Sequence, residues 1–192
     1  MFFSKGRNVA AFVIILVIID QLIKIAVKTS MMPGESFNVL GSWFHINFIE
    51  NNGMALGIQW GDYTGKILLT SFRIVLISAL IWYLKCRLIA RKAPTGVIVG
   101  VSLILVGAIG NAIDCIFYEM IFGAVDPVTG AIMHRPFMGK VVDMFYFPII
   151  ETERFVFFQY IFNFADACIS CSVVYLILFQ RKFFSNSNTE KA

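Results

Sequence analysis

Charged residues make up only 15% of the 192 positions in this chain, and histidine is scarcer still, with His45 and His134 alone. Neither histidine sits in a ligand-spaced pair such as HExxH, so metal chemistry has little to build on. Four cysteines, Cys86, Cys115, Cys168 and Cys171, fall mostly in or beside apolar stretches and follow no secreted-scaffold spacing. No disulfide framework is therefore expected. Cys168 and Cys171 do form a CxxC, but inside a hydrophobic run they read as small packing residues rather than a redox pair. GxSxG and SxxK are missing too, so no activated serine stands out. There is no internal repeat, low-complexity tract or soluble linker.

What the chain has in abundance is apolar surface: 58% of it is hydrophobic, with twenty Phe and a mean hydropathy of +0.78. These values belong to membrane proteins. Apolar segments of the 20 or so residues that a bilayer crossing needs lie near residues 8–28, 65–84, 96–117 and 160–180. The expected architecture is thus a single α-helical membrane domain over 1–192 with four transmembrane helices. The first run has the basic start of a signal peptide, but it is too long and lacks a small-residue cleavage site, so it reads as a retained span.

The net charge of +4 is unevenly placed. Basic residues gather at Lys5 and Arg7, at Lys85, Arg87, Arg91 and Lys92, and at Arg181 and Lys182. Four spans put all three clusters on one side, which the positive-inside rule makes cytoplasmic. Both termini are then inside, and the charge marks topology rather than a nucleic-acid surface. The connections left outside, 29–64 and 118–158, hold the alternating or aromatic-rich stretches "SWFHINFIE" and "KVVDMFYFPI", bounded by Gly, Pro and Asn, which read as short strands at the membrane surface. "VDPVTGAI" reads as the turn between two arms of a hairpin.

Against this background the intramembrane polar residues stand out. Asp20 and Lys24, spaced i,i+4, face each other in the outer half of the first span. That spacing fits a structural ion pair as well as part of a site. In the third span, Asn111 and Asp114 share a face near the outer end, and Gly107 and Gly110 would let another helix approach closely. For the fourth, a helix beginning at Asn163 makes that residue an N-cap and puts Asp166 in the first turn, at the outer membrane boundary. Asp20, Asp114 and Asp166 thus meet at one depth, and Asp143 reaches the same level from outside. Four carboxylates at one level are too many for packing alone. Two carboxylates at close range cannot both ionise easily, so one holds a proton that the other lacks. Such a pair can hydrolyse a peptide with neither metal nor cofactor. A proton relay would instead want acids at several depths and a repeat relating two halves.

Five blocks in this order, "DQLIK", "ENNGMALG", "GAIGNAID", "VVDMFYF" and "FNFADACI", give the chain a resemblance to the lipoprotein signal peptidases, the type II signal peptidases of bacterial cytoplasmic membranes. The resemblance covers residues 20 to about 170. It implies that Asp143 and Asp166 form a catalytic dyad, and that Asp20, Lys24, Asn51, Gly53, Asn111, Asp114, Asn163 and Ala165 bind substrate or shape the site. The implied fold adds to the four helices a small extracytoplasmic β-sheet and a short interfacial helix, matching 35–64 here. The implied substrates are prolipoproteins whose cysteine already carries diacylglycerol, cut just before that cysteine. Membrane lipid and globomycin-type peptide inhibitors are the other expected partners, with no cofactor and a monomer as the working state. Asp166 would then sit at the membrane boundary because the substrate's lipid holds the scissile bond at that depth. The chain departs from the family in two places. Cys115 stands where an Arg usually follows the GNxxD block, with Arg73 one candidate to compensate. The stretch between Asp114 and Asp143 is also long, an outer hairpin over the site.

Overall fold

The computed structural model describes residues 3, 5–52, 63–126, 128–148, 150–152, 155–157 and 160–189. Among the described residues, three helices are long and apolar enough to cross a membrane: α1 (Gly6–Ser30), α2 (Tyr63–Tyr83, continuing in π-type turns over Leu84–Ile89) and α3 (Thr95–Phe122). A shorter apolar helix, α4 (Phe164–Phe179), is followed by α5 (Arg181–Thr189). Local chemistry sets the ends. α1 stops before Pro33, which cannot continue a helix, and Gly34 at φ 89°. α3 starts after Pro94, whose carbonyl receives the Val97 and Ile98 N–H groups, and ends at Gly123, whose φ of 71° turns the chain while its N–H bonds to the Glu119 carbonyl.

Contacts group the chain into two compact units. The first comprises residues Met1–Ile19, Phe72–Gly110 and Phe164–Ala192. Its core holds Val9 and Val13 of α1, Leu84 and Leu88 of the π segment, Val97, Ile98, Val101, Leu105 and Val106 of α3, and Cys168 and Leu176 of α4. Lipid tails are as apolar as these side chains, so close packing rather than escape from water holds such helices together. The small residues show it. A Cβ on Gly100 would strike Leu176, and one on Gly107 would strike the Ala165 carbonyl and Ile169, so α3 and α4 approach along a glycine face that includes the expected Gly107. Ser172 donates to the Gly100 carbonyl across the same seam. All four cysteines are free thiols, and Cys168 serves as core packing.

The second unit, Asp20–Ser71 and Asn111–Asn163, is built on a sheet. Its strands are β1 (Ser36–Leu40), β2 (Phe44–Asn51), β3 (Ala124–Val125), β4 (Ile132–Met133), β5 (Val141–Tyr146), β6 (Ile150–Thr152), β7 (Phe155–Phe157) and β8 (Ile161–Phe162). β1, β2, β5 and β8 form one antiparallel sheet in that order, with Ile49 opposite Asp143 and Phe145 opposite Phe162. Val142 and Met144 pack one face of β5 against Phe48 and Tyr118. At one end of the two inner strands, Phe44 stacks on Phe147 with ring centroids 4.6 Å apart.

Both strands read from the sequence are present, as β2 and β5. The interval assigned to sheet and interfacial helix, 35–64, is strand from Ser36 to Asn51 apart from a short turn, and residues 53–62 lie outside the described residues. β3 and β4 are the expected hairpin arms. The Asp126 carboxylate accepts the Val128 and Thr129 N–H groups at 3.0 and 2.8 Å, which closes the turn and holds that carboxyl below its ordinary pKa. Within the fourth apolar run, near 160–180, residues 161–162 pair with β5 and the helix covers Phe164–Phe179, beginning one residue after the expected Asn163 start.

Candidate active site

α1 carries Asp20, Gln21 and Lys24 on adjoining positions of one face. α3 presents Asn111, Asp114 and Tyr118, spaced so that each lies about a turn above the last. Asp20, Lys24 and Asp114 are fully buried. Lys24 Nζ lies 3.1 Å from Asp20 Oδ2 and 2.8 Å from Asp114 Oδ2, and donates to Asn111 Oδ1 at 2.9 Å. Gln21 Nε2 donates to both carboxylates, at 3.1 Å to Asp20 and 3.0 Å to Asp114, while Tyr118 donates its hydroxyl to Gln21 Oε1. One ammonium thus bridges two carboxylates that also take amide protons from Gln21. A buried charge group is tolerable only on such terms.

From this knot the hydrogen bonds lead to Asp143. Asn111 Oδ1 also accepts from Asn163 Nδ2 at 3.1 Å, and the same Asn163 nitrogen reaches Asp143 Oδ1 at 2.7 Å. Asn51 Nδ2 approaches Asp143 Oδ2 at 3.3 Å. Both oxygens of a carboxylate only 4% exposed therefore accept amide protons, one from β2 and one from the residue that precedes α4. β5 directs it: Val142 and Met144 turn toward the core, and the alternation of a strand sends Asp143 to the other face.

The strand is anchored to α3 twice over. The Val142 N–H donates to Asp114 Oδ2 at 3.3 Å, and just upstream the Phe137 and Gly139 N–H groups bond to the Ile116 and Cys115 carbonyls. Gly139 lies so close that an added Cβ would collide with the Asp114 carbonyl.

Seven of the expected residues, Asp20, Lys24, Asn51, Asn111, Asp114, Asp143 and Asn163, therefore form one hydrogen-bonded group. Asp166 and the fully buried Ala165 lie in the first turn of α4, directly after the Asn163 position expected of an N-cap. Gly53 lies outside the described residues. Gln21 and Tyr118 were not anticipated, although Gln21 adjoins Asp20 and Tyr118 follows Asp114 by one turn. Lys66 is a further addition. From the first turn of α2 it donates to the Met138 carbonyl at 2.7 Å and to Asn52 at 3.4 Å, within electrostatic reach of buried Cys115. Lys28 and Lys140 both bind Glu50 beside the sheet. Burial there raises the Glu50 pKa, but the two lysines outweigh it and leave the carboxyl below its ordinary 4.5.

Comparison with known proteins gives a consistent result. Residues 12–182 match the family described as signal peptidase (SPase) II. The lipoprotein signal peptidase of Porphyromonas gingivalis is 43% identical over 192 residues, covering 91% of this chain and 83% of its own. That of Amoebophilus asiaticus is 35% identical over 86% of this chain and 74% of its own. A solved bacterial membrane enzyme superposes with a TM-score of 0.65 at 27% identity, over 94% of this chain and 92% of that one.

Proposed function

The chain belongs to the signal peptidase II family, the lipoprotein signal peptidases of bacterial membranes, and on that footing we propose that it is an aspartic endopeptidase with Asp143 and Asp166 as its catalytic pair. Family membership makes it a peptidase of lipoprotein signal-peptide processing. The reading of its chemistry rests on one observation above all: Asp143 is buried with amide donors on both oxygens, and one of those donors, Asn163, leads directly into the helix turn that carries Asp166.

Hydrogen bonds to a carboxylate favour its ionised form. Asp143 then acts as the base and Asp166 as the protonated partner. Asp143 takes a proton from water as the water oxygen attacks the scissile carbonyl carbon, and Asp166 passes its proton to the carbonyl oxygen. In the tetrahedral diol so formed, Asp143 delivers its proton to the amide nitrogen while Asp166 recovers one from a hydroxyl. The C–N bond breaks, leaving a carboxyl end on the signal peptide and a free amine on the lipidated cysteine. Asn51, Asn111 and Asn163 hold the base in place, and the Asp20–Lys24–Asp114 knot fixes Asn111.

In this reading the scissile bond lies just before a diacylglyceryl-modified cysteine, and the sheet that carries Asp143 cradles the peptide. The site faces the extracytoplasmic side with both termini inside, the enzyme works as a monomer, and globomycin-type peptides block it. The test is cleavage of a precursor with and without its diacylglyceryl group by the purified protein in detergent. Cleavage of the lipidated form alone, with cysteine as the new N-terminus, supports the reading. Equal cleavage of both forms, or none of either, removes it.

A further inference from the structure

The first compact unit contains a groove of about 570 Å³ between the basic ends of α1 and α2 and the flank of α3. Its floor is buried and wholly aliphatic: Val9, Val13, Leu84 and Leu105. Its sides are not closed. Ile14 and Ile81 line it yet are 57% and 45% exposed, so the groove opens sideways to whatever surrounds the helices. For a chain whose helices cross a bilayer, that surrounding is lipid. From Arg7 to Ile14 the wall rises about 10 Å along α1 at the helical 1.5 Å per residue, a length that suits an acyl chain.

The mouth differs in character from the floor. Arg7 comes from the first turn of α1 and Lys85 from the π segment of α2, and both line the opening. The π turns are real in the hydrogen bonding: Ala90 N–H reaches back five residues to the Lys85 carbonyl at 3.2 Å, and Ala93 to that of Leu88 at 2.9 Å. Such turns lie often at functional sites. Here they contribute Leu84, Lys85 and Ile89 to the groove. Among the described residues the ion pairs form at Lys24, Lys28, Lys140 and Arg135, none at Arg7 or Lys85. The only carboxylate among the described residues of this unit is Asp166, at the opposite end of α4 from Arg181. Positive charge at the mouth is therefore not balanced within the unit.

We propose that this groove binds an anionic phospholipid, one acyl chain lying on the aliphatic floor and the phosphate held between Arg7 and Lys85. Basic residues next to membrane-spanning helices attract anionic headgroups in just this way. The site is separate from the peptidase chemistry and does not depend on it.

Native mass spectrometry of the full chain in a neutral detergent tests it, with dioleoyl phosphatidylglycerol and dioleoyl phosphatidylcholine as probes. The wild type should retain phosphatidylglycerol in preference. Arg7→Gln with Lys85→Gln should weaken that binding about 30-fold, the effect of two surface charges. Ala10→Phe, which fills the groove without touching a charge, should also abolish it. Arg181→Gln with Lys182→Gln removes equal charge from the same face outside the groove and should leave binding intact. Arg7, Lys85 and Ala10 are all exposed, so these variants should fold, which an unchanged melting temperature in lipid-free detergent checks. No headgroup preference in the wild type, equal losses from the two charge pairs, or normal binding by Ala10→Phe would each overturn the proposal.

Discussion

Lys24→Met isolates the role of the buried charge knot. Met matches the length of the lysine stem and removes only the ammonium. That ammonium lies 3.1 Å from Asp20 and 2.8 Å from Asp114, with none of the three residues exposed to solvent. Its loss leaves two buried carboxylates facing each other with no ammonium between them, bridged by the Gln21 amide. Breaking a buried pair from one side costs about 3–5 kcal/mol. For a chain of this size each kcal/mol corresponds to about 2–4 °C, so melting in detergent at neutral pH should fall by roughly 6–20 °C. Asp114→Asn keeps the shape and leaves Lys24 paired with Asp20, so it should cost only about 1–3 kcal/mol. The decisive comparison is the triple variant Lys24→Met, Asp20→Asn, Asp114→Asn. With no charge left to strand, it should recover roughly half or more of the loss. A melting temperature that drops less than about 3 °C for Lys24→Met, or a triple variant no better than the single one, would refute the reasoning.

Other expectations are nearer the sheet. Asn163→Ala removes the donor at 2.7 Å from Asp143 Oδ1, and should lower kcat about 10- to 100-fold with little change in KM, measured on a lipidated precursor. Gly139→Ala forces a methyl into the Asp114 carbonyl, and its cost of about 1–3 kcal/mol should appear as a lower melting temperature and as misplacement of Asp143. Glu50 has a folded pKa below 4.5, so its contribution to stability is present above that value and is lost as the pH falls through the folded pKa. Wild type and Glu50→Gln should therefore differ in melting temperature at pH 7 and converge in acid. A difference that persists unchanged at low pH would mean that the lysine pairs do not stabilise the fold.

Legibility in the sequence followed the physics of each element. Long apolar runs admit one solution in lipid, so α1, α2 and α3 could be placed from hydropathy alone. "HINFIE" and "VVDMFY" were readable as strands because they are alternating or aromatic-rich stretches bounded by turn residues. In the fourth run the start at Asn163 was readable because Asn is a good N-cap, whereas the pairing of Ile161 and Phe162 with β5 just ahead of α4 was not, since periodicity does not separate a buried strand from a helix in a short apolar stretch. The i,i+4 spacing of Asp20 and Lys24 gave their pairing, but nothing local showed that Asp114 would share the same ammonium, since that contact spans ninety residues of sequence. Gln21 was passed over because a lone glutamine carries no charge to mark it, although as a donor to two carboxylates it is central to the knot. Lys66 was missed for a different reason: it sits at a helix start, where a lysine reads as an ordinary end to an apolar run.

The central claim is that Asp143 and Asp166 work as a pair. Its most direct test is the cleavage rate of a diacylglyceryl-modified precursor by wild type, Asp143→Asn and Asp166→Asn, each purified and shown to melt as a folded protein. Asn keeps the volume of the side chain and removes its ionisation. The account predicts that both variants lose at least about 100-fold in kcat, the scale of a lost general acid or base. A folded variant of either aspartate that cleaves at near the wild-type rate would contradict it.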